Sequence, residues 1–346
     1  MSDQPLILIT AATGTQSSSL LRTLSAWSSS TSTSITINAT TRTPHSPAAQ
    51  SLLTHAHTNC NIKLFETDFE DPTTLTGPTK SVTHVFLNAT PVLNDVTAES
   101  RQLHNVLTAL RANAATTLRR LVYTTASSVR DPSDPNSFAP SSLDQHPWMK
   151  AYYTSKYGVE RAVAQLATDL HCNYTLLRPA GFLTNLFTPW MYPLLATERR
   201  IVTALHADYA NSWLDPTDIG QFAAEALLTL PDTDPKYQDK YRSQIVPIAQ
   251  TTRTLGQIVD ALNAQLRADS KVPAGVQVEL QHLSDEEAAA QGKTNPYLAS
   301  QGFQNANKGI YALDLKAIEA YGLEMCTVED FFARNADRVR RAVGLE

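Results

Sequence analysis

The stretch LILITAATGTQSSSLLRTL, residues 6–24, decides the fold of this chain. Its four apolar residues at 6–9 predict a short buried strand, and Leu20 and Leu24 recur at helical spacing after a turn of small residues. A strand, a tight turn and a helix in this order are typical of a dinucleotide-binding fold, because the free N–H groups at the helix N-terminus bind a pyrophosphate.

The turn itself departs from the G-x-x-G-x-x-G pattern that it resembles. Ala11, Gly14 and Ser17 occupy the three glycine positions, so only the middle glycine is present. The chain has 12 glycines in 346 residues, about half of what average usage of roughly 7% would give, and it uses Ala, Ser and Thr at small positions instead. An ordinary strand–helix connection is the alternative interpretation of this turn.

The composition excludes several classes of protein. A hydrophobic fraction of 42% supports a full core, and a net charge of −5 without a basic stripe argues against a nucleic-acid partner. Cys60, Cys172 and Cys326 are too far apart for a disulfide framework or a zinc site, and the nine histidines are scattered, so we expect no metal. Without a membrane-length apolar run or a leader, the chain is expected to be cytoplasmic, with no membrane partner.

The pattern along the chain predicts an α/β fold with a Rossmann-like, doubly wound parallel sheet. Predicted strands at 34–40, 81–88 and 118–126 alternate with predicted helices at 94–115 and 148–167, and loops are expected at 28–34 and 130–147. We expect an NAD(P)-binding domain over residues 1–180, with core strands continuing to about 250, and a smaller α/β substrate lobe over 181–346. Ser284 is expected to cap a helix, and 291–309 to form a lid or a surface loop.

Arg42 follows the second predicted strand, where the adenosine ribose lies in a dinucleotide fold. An acid there would bond the ribose 2′-OH of NAD, whereas a guanidinium suits the 2′-phosphate of NADP. Arg42 therefore favours NADPH, with a solvated loop arginine as the alternative.

Tyr152 and Lys156 are the candidates for chemistry. They lie four residues apart in a predicted helix and so share one face, where an ammonium favours the phenolate and makes the tyrosine a suitable general acid. Such a pair also occurs by chance on many helices. Here it follows a dinucleotide turn and a cluster of Ser/Thr residues at the end of the fifth strand; Tyr153 and Tyr157 are expected to pack.

Eight segments together resemble the NmrA-like family, a group found widely in fungi among the atypical and extended short-chain dehydrogenase/reductases. They are ITAATGTQ, TTRTP, ETDFED, VFLNATP, LVYTTAS, YYTSK, LLRPAGFLTN and SWLDPTDIG, and they extend over residues 6–220. RTLGQIVDALN resembles the family's small C-terminal lobe with less specificity.

The resemblance implies a role for each matching position. NADPH would contact Thr10, Ala11, Thr13, Gly14, Thr15 and Gln16 at the pyrophosphate, Arg42 at the 2′-phosphate, Asp68 and Phe69 at the adenine, Asn88, Ala89 and Thr90 along the ribose, and Pro179, Ala180, Gly181 and Phe182 at the nicotinamide. Tyr152 would donate the proton, and Lys156 would hold the nicotinamide ribose. The substrate wall would include Trp148, Asn185 and Trp190.

The family's catalytic Ser/Thr falls on Ala126 in this chain, counted back from Val129. The hydroxyl that bonds the substrate carbonyl would then come from Thr125, Ser127 or Ser128, and we expect Ser127.

The leading hypothesis is an NADPH-dependent oxidoreductase that reduces a carbonyl or conjugated group of a small, aromatic or polyketide-type metabolite of secondary metabolism. The chain would act as a monomer or a homodimer. One alternative is a non-catalytic NAD(P)-sensing regulator that binds a protein partner, as some NmrA relatives do. Another is a dehydratase, isomerase or cyclase on the same fold.

Overall fold

The computed structural model describes residues 4–89, 92, 95–228 and 240–345. The chain forms two compact units, each built from several stretches. The first contains residues 1–129, 152–178 and 217–247, and the second contains 130–151, 179–216 and 248–346. The chain enters the second unit at 130, returns to the first at 152, leaves it again at 179, returns at 217 and passes to the second unit finally at 248.

The strands of the described residues are β1 Leu6–Ile9, β2 Ile35–Thr41, β3 Cys60–Glu66, β4 His84–Leu87, β5 Arg120–Thr124, β6 Asn173–Pro179, β7 Gly181–Phe182, β8 Arg200–Thr203, β9 Ala210–Leu214, β10 Gln244–Ile248, β11 Thr251–Thr254 and β12 Glu279–His282. The helices are α1 Thr15–Thr31, α2 Pro47–Leu53, α3 Thr76–Thr79, α4 Ala98–Asn113, α5 Ser142–Gln145, α6 Pro147–Asp169, α7 Leu195–Glu198, α8 Ile219–Leu228, α9 Leu255–Ala268, α10 Asp285–Gly292, α11 Pro296–Ala306, α12 Leu315–Glu319, α13 Val328–Arg334 and α14 Ala336–Ala342. Short 3-10 helices cover Pro72–Leu75, Leu183–Phe187 and Pro216–Asp218.

A seven-stranded sheet with the order β10-β6-β5-β4-β1-β2-β3 forms the first unit. Ile7 of β1 pairs in parallel with Ile37 of β2 on one side and with His84 of β4 on the other. The order 3-2-1-4-5-6 is that of the dinucleotide-binding fold, and it confirms the predicted doubly wound α/β architecture. The reversal of strand order beside β1 places the carboxyl ends of β1 and β4 at the crevice where such folds bind ligands.

Apolar faces of strands and helices form the core of this unit. Leu8, Val85 and Leu121 of the central strands lie in one buried cluster with Leu103 of α4 and Val159 of α6. Burying each of these side chains contributes roughly 1.5–3 kcal/mol. The regularly spaced apolar residues that predicted helices at 94–115 and 148–167 therefore form the helix faces that pack on the sheet.

Helices α1 and α8 pack unusually close together. A Cβ at Gly220 of α8 would lie 2.8 Å from the backbone nitrogen of Leu20. In the same contact, the Ser19 hydroxyl donates to the Thr217 carbonyl at 2.6 Å. The glycine that brings a helix close to α1 is thus on α8, because α1 itself carries serines on this face.

The N-terminal helix is longer than predicted. The expected loop at 28–34 is wrong over its first four residues, because α1 runs through Thr31 and ends at Ser32, whose φ is 55°. Ser28 stays helical since its hydroxyl donates to the Thr33 carbonyl at 2.7 Å, and Thr31 donates to the Trp27 carbonyl at 2.9 Å. Serine and threonine side chains often bond backbone groups in loops. In this segment they bond backbone groups at the end of the helix.

Two sheets and a helical layer form the second unit. The strands pair as β11-β9-β7 and as β12-β8. Ile258 and Leu262 of α9 lie in a buried cluster with Phe331, whose ring stacks on Phe187 at 5.8 Å. Ser284 accepts from the Glu287 backbone nitrogen and caps α10, as predicted.

Two predicted loops of the second unit contain helices. The segment 291–309 includes α11, which buries Leu298 and Phe303, so most of it is a packed helix rather than a loop. The segment 130–147 includes α5, although no helix was expected there. The polar residues of this segment form turns in which an Asp side chain bonds the backbone two residues later, as Asp131 accepts from the Ser133 nitrogen at 2.9 Å. This composition is typical of a loop, so no pattern in the sequence indicated the short helix.

Candidate active site

The turn between β1 and α1 is built from small residues. Ala11 adopts a left-handed conformation with φ 47°, and its carbonyl accepts from the Gly14 nitrogen at 2.9 Å. Gly14 is the N-cap of α1; no side chain caps this helix, and its first turn carries no acidic residue. The N-terminal N–H groups of a 17-residue helix are therefore available to an anion.

Side chains of the turn join the ends of three neighbouring strands. Ser17 is buried, and its hydroxyl donates to the Thr10 carbonyl at 2.8 Å. The Thr10 hydroxyl in turn donates to the Asn88 carbonyl at 2.6 Å, just after β4. The Gln16 side chain accepts from the Thr124 hydroxyl at 2.7 Å, at the end of β5, while Thr13 and Thr15 stay exposed.

The residues expected near the adenosine lie on the same edge of the sheet. Arg42 directly follows β2, is exposed, and has no hydrogen-bond or ion-pair partner among the described residues. After β3, Asp68 is exposed and accepts from the Glu70 nitrogen at 3.0 Å, and Phe69 packs against the core. Ala89 is buried after β4, whereas Thr90 lies outside the described residues.

Lys156 and Tyr152 share one face of α6, as their spacing predicts. The Lys156 ammonium lies 5.8 Å from the centroid of the Tyr152 ring and donates to Glu99 Oε1 at 2.7 Å. Lys156 and Glu99 are each 8% exposed, so this is a buried ion pair. Tyr152 is half-buried and contacts the Tyr153 ring edge-on, with 5.4 Å between ring centroids.

The three hydroxyls after β5 differ in their surroundings. The Thr125 hydroxyl is buried and has no hydrogen-bond partner among the described residues. Ser127 is half-exposed in a turn, with no hydrogen bond to any described residue. Ser128 is buried and accepts from the Tyr153 hydroxyl at 3.0 Å. Tyr153, which the sequence predicted to pack, is the tyrosine that reaches this cluster.

The residues expected at the nicotinamide and the substrate belong to the second unit. Pro179 ends β6, the Ala180 nitrogen donates to the Ile248 carbonyl at 2.9 Å, and Gly181 and Phe182 form β7. A Cβ at Gly181 would lie 3.3 Å from the Ser212 carbonyl oxygen, so the strand pairing here leaves little room for a side chain.

The two tryptophans of the predicted substrate wall are surface residues. Trp148 is 38% exposed near the start of α6, and Trp190 is 41% exposed. The Trp190 ring contacts the edge of the Tyr297 ring, with 5.9 Å between centroids. Asn185 lies in the 3-10 helix Leu183–Phe187, and its backbone carbonyl accepts from the Thr188 nitrogen. Large exposed aromatic residues are candidates for binding an aromatic ligand.

Sequence reasoning missed Glu99 and Tyr123. Tyr123 donates to Glu99 Oε1 at 3.3 Å, so both residues belong to the surroundings of Lys156. Glu99 is in the first turn of α4, where an acid is explained by the helix dipole alone, and 57 residues separate it from Lys156. No sequence pattern connects them.

Other kinds of site find no support in the described residues. They contain no group of three or more His, Cys, Asp or Glu side chains placed to hold a metal ion. Within those same residues, no helix combines the length and the apolar character needed to cross a bilayer.

Comparison with known proteins gives a family and a fold. A model of the NmrA-like family matches residues 3–293. No curated protein matches the chain in a sequence comparison. Among solved structures, the chain is similar to the NADPH-dependent quinone oxidoreductase QOR2 of Escherichia coli in complex with NADPH, with a TM-score of 0.64 and 20% identity over 95% of this chain and 99% of that one.

Two further structures have comparable similarity. The triphenylmethane reductase of a Citrobacter species, complexed with NADP(H), has a TM-score of 0.62 and 16% identity, covering 98% of this chain and 99% of that one. A double mutant of NmrA has a TM-score of 0.61 and 17% identity, covering 99% of this chain and 95% of that one. At these identities the similarity establishes the fold.

Proposed function

The chain belongs to the NmrA-like family, and from this premise we propose that it is an NADPH-dependent oxidoreductase that reduces a carbonyl or conjugated group of a small aromatic or polyketide-type metabolite. The observation that carries the proposal is that one unit contains an uncapped helix N-terminus, an arginine without a partner among the described residues, and the buried Lys156 beside the half-buried Tyr152. We place the chain with the fungal-type members, among the atypical and extended short-chain dehydrogenase/reductases, on segments such as YYTSK and LLRPAGFLTN.

The residues of the turn fit a dinucleotide. The first turn of α1 presents N–H groups without a competing side chain or acid. A Cβ at Gly14 would lie 3.2 Å from the Ala11 carbonyl oxygen, so glycine keeps the turn uncrowded where the pyrophosphate approaches. Arg42 supplies an unpaired fork of donors at the strand end where the 2′-phosphate lies. These two features together select NADPH over NADH.

Bound NADPH supplies a hydride, and the chain supplies the proton and the polarisation of the acceptor. Tyr152 donates the proton to the carbonyl oxygen as the hydride reaches the carbon. Ser127, half-exposed after β5, donates a hydrogen bond to the same oxygen. Lys156 holds the ribose with the ammonium donors that Glu99 does not use.

Titration of the purified chain with NADPH and NADH by calorimetry tests the cofactor assignment. We expect NADPH to bind at least about tenfold more tightly, which corresponds to roughly 1.4 kcal/mol. A panel of quinones and aromatic ketones, followed by NADPH absorbance, then tests reduction. Failure to bind either nucleotide would remove the proposal, and tight binding without turnover would point to the second candidate.

A non-catalytic NADPH sensor is the second candidate, and the Lys156–Glu99 ion pair favours it. A lysine whose charge is already balanced at 2.7 Å perturbs the pKa of a neighbouring phenol less than an isolated ammonium does. Conversion of any carbonyl substrate at the expense of NADPH would exclude the sensor as the sole function.

A further inference from the structure

The ammonium of Lys156 is buried but incompletely bonded. It has three N–H donors, of which one reaches Glu99 Oε1 at 2.7 Å. The other two have no hydrogen-bond acceptor among the described residues, although Lys156 is only 8% exposed. Since a buried donor without a partner is costly, these two donors are placed for oxygen atoms of a ligand.

Glu99 is the carboxylate dedicated to this lysine. It is buried at the start of α4, and the same Oε1 also accepts from the Tyr123 hydroxyl at 3.3 Å. The other nearby carboxylate, Glu160, has both of its oxygens engaged by the Arg178 guanidinium, at 3.0 and 2.6 Å. Glu160 is therefore paired with an arginine, and Glu99 is the carboxylate that bonds Lys156 directly.

We propose that Glu99 is a positioning residue, which holds the Lys156 ammonium against the Tyr152 ring and directs its two remaining donors to the ribose of the cofactor. The proposal rests on the function proposed above, because it assigns the ribose as the acceptor. Glu99 touches neither the reacting atoms nor the cofactor in this scheme and acts through Lys156.

The charges around Lys156 determine what removing Glu99 should do. Burial tends to lower the pKa of Lys156, but the negative charge of Glu99, with smaller contributions from Tyr123 and Glu160, outweighs it and holds the pKa above the usual lysine value. Tyr123 is itself kept neutral because burial raises the pKa of its hydroxyl well above the usual value. Among the described residues, Tyr152, one turn earlier in α6, also faces Lys156.

Glu99→Gln removes one negative charge while keeping the shape and an acceptor oxygen. Loss of that charge should lower the pKa of Lys156, because the ammonium loses a stabilising anion. It should lower the pKa of Tyr152 as well, because the phenolate loses a repelling one. Reduction needs both groups protonated, so the alkaline limb of kcat should move to lower pH by about one unit or more. A purely structural role would instead lower kcat by the same factor at every pH.

The control variant is Glu70→Gln, which removes the same charge from an exposed ion pair with Arg101 in the same unit. Its pH profile should match that of the wild type. Tyr123→Phe removes a donor to Glu99 without changing the charge, and its alkaline limb should move much less than that of Glu99→Gln. An unshifted limb in Glu99→Gln, or an equal shift in Glu70→Gln, overturns the proposal.

A second measurement needs neither cofactor nor turnover. In protein labelled with [6-13C]lysine, with the Lys156 signal assigned from Lys156→Arg, the wild-type Cε resonance should keep its ammonium position through about pH 10. In Glu99→Gln it should titrate at least about one unit lower than in the wild type. If Glu99→Gln does not fold, a wild-type Lys156 that titrates below pH 10 is itself sufficient to overturn the proposal. Because this experiment uses the free protein, its failure is distinct from a failure to bind or oxidise NADPH.

Discussion

Ser17 donates its hydroxyl proton to the Thr10 carbonyl at 2.8 Å, across the turn that joins the first strand to the first helix. Ser17 stands at the third glycine position of the phosphate turn and is fully buried, so its polar atom is satisfied where it lies. Ala11, at the first glycine position, has no such compensation for a φ of 47°. The two replacements of glycine therefore differ in their effect on stability.

Ala11→Gly should stabilise the protein. An alanine in the left-handed region costs about 1–2 kcal/mol of conformational strain, which glycine avoids. Glycine loses roughly 0.5–1 kcal/mol more chain entropy on folding, so we expect a net gain in stability of about 0.5–1 kcal/mol. Urea unfolding measures it. Ala12→Gly is the matched control: Ala12 is fully buried with a negative φ, and its substitution should destabilise. A loss of stability in both variants would contradict the assigned strain.

Gly220→Ala should destabilise the first unit by about 1–3 kcal/mol, because its Cβ would meet the backbone of Leu20 at 2.8 Å and neither helix can yield cheaply. Gly158→Ala provides the opposite case on α6, where nothing lies within 4 Å of the added Cβ. That substitution should stabilise by about 0.5–1 kcal/mol through helix propensity. Thermal unfolding of the pair measures both, and equal effects would contradict the close helix contact.

Arg42→Ala should weaken NADPH binding by about 10- to 100-fold. This factor corresponds to the roughly 1.5–3 kcal/mol that hydrogen bonds to a charged group contribute. NADH binding should change little, because NADH has no 2′-phosphate. Arg22→Ala removes the same charge from the exposed face of α1 and should affect neither nucleotide. Calorimetric titration distinguishes these cases; equal losses for both nucleotides would show that Arg42 does not contact the phosphate.

Tyr152→Phe should lower turnover by at least about 10²-fold and leave NADPH affinity nearly unchanged, since a general acid contributes about 10²–10⁴-fold to the rate. Tyr157→Phe, on the same helix, is the control and should retain activity close to that of the wild type. Steady-state kinetics with NADPH and calorimetry measure the two quantities. Undiminished turnover in Tyr152→Phe would exclude this residue as the proton donor.

The fold was accessible from the sequence because its strands are short apolar runs and its helices have strong apolar periodicity. The run at 6–9 becomes β1 without change, and the helix predicted at 94–115 is α4 with ends trimmed by two to four residues. The loop predicted at 28–34 was wrong over its first four residues because a serine can bond either a loop or the end of a helix. The two acceptors of the Ser28 hydroxyl, the Thr33 carbonyl and the distant Asn59 carbonyl, come within reach only in the folded structure.

The candidate site was accessible only where its residues follow strand ends or share a helix face. Arg42 and the Tyr152–Lys156 pair are placed by such local rules. Glu99 is joined to Lys156 by packing between α4 and α6, and a helix-start acid gives no sign of which distant side chain it meets. The choice among the hydroxyls after β5 likewise depends on Tyr153, which engages Ser128 and leaves Ser127 unbonded to any described residue.

The bond from Ser19 to the Thr217 carbonyl joins residues 198 positions apart, and it constrains the order of events during synthesis. At roughly 5–20 residues per second, a ribosome takes on the order of 10–40 s to pass from one to the other. Throughout that interval the helix that starts the phosphate turn has no α8 to cover its serine face. The packing of α1 against α8 is therefore completed only after residue 217 has been synthesised.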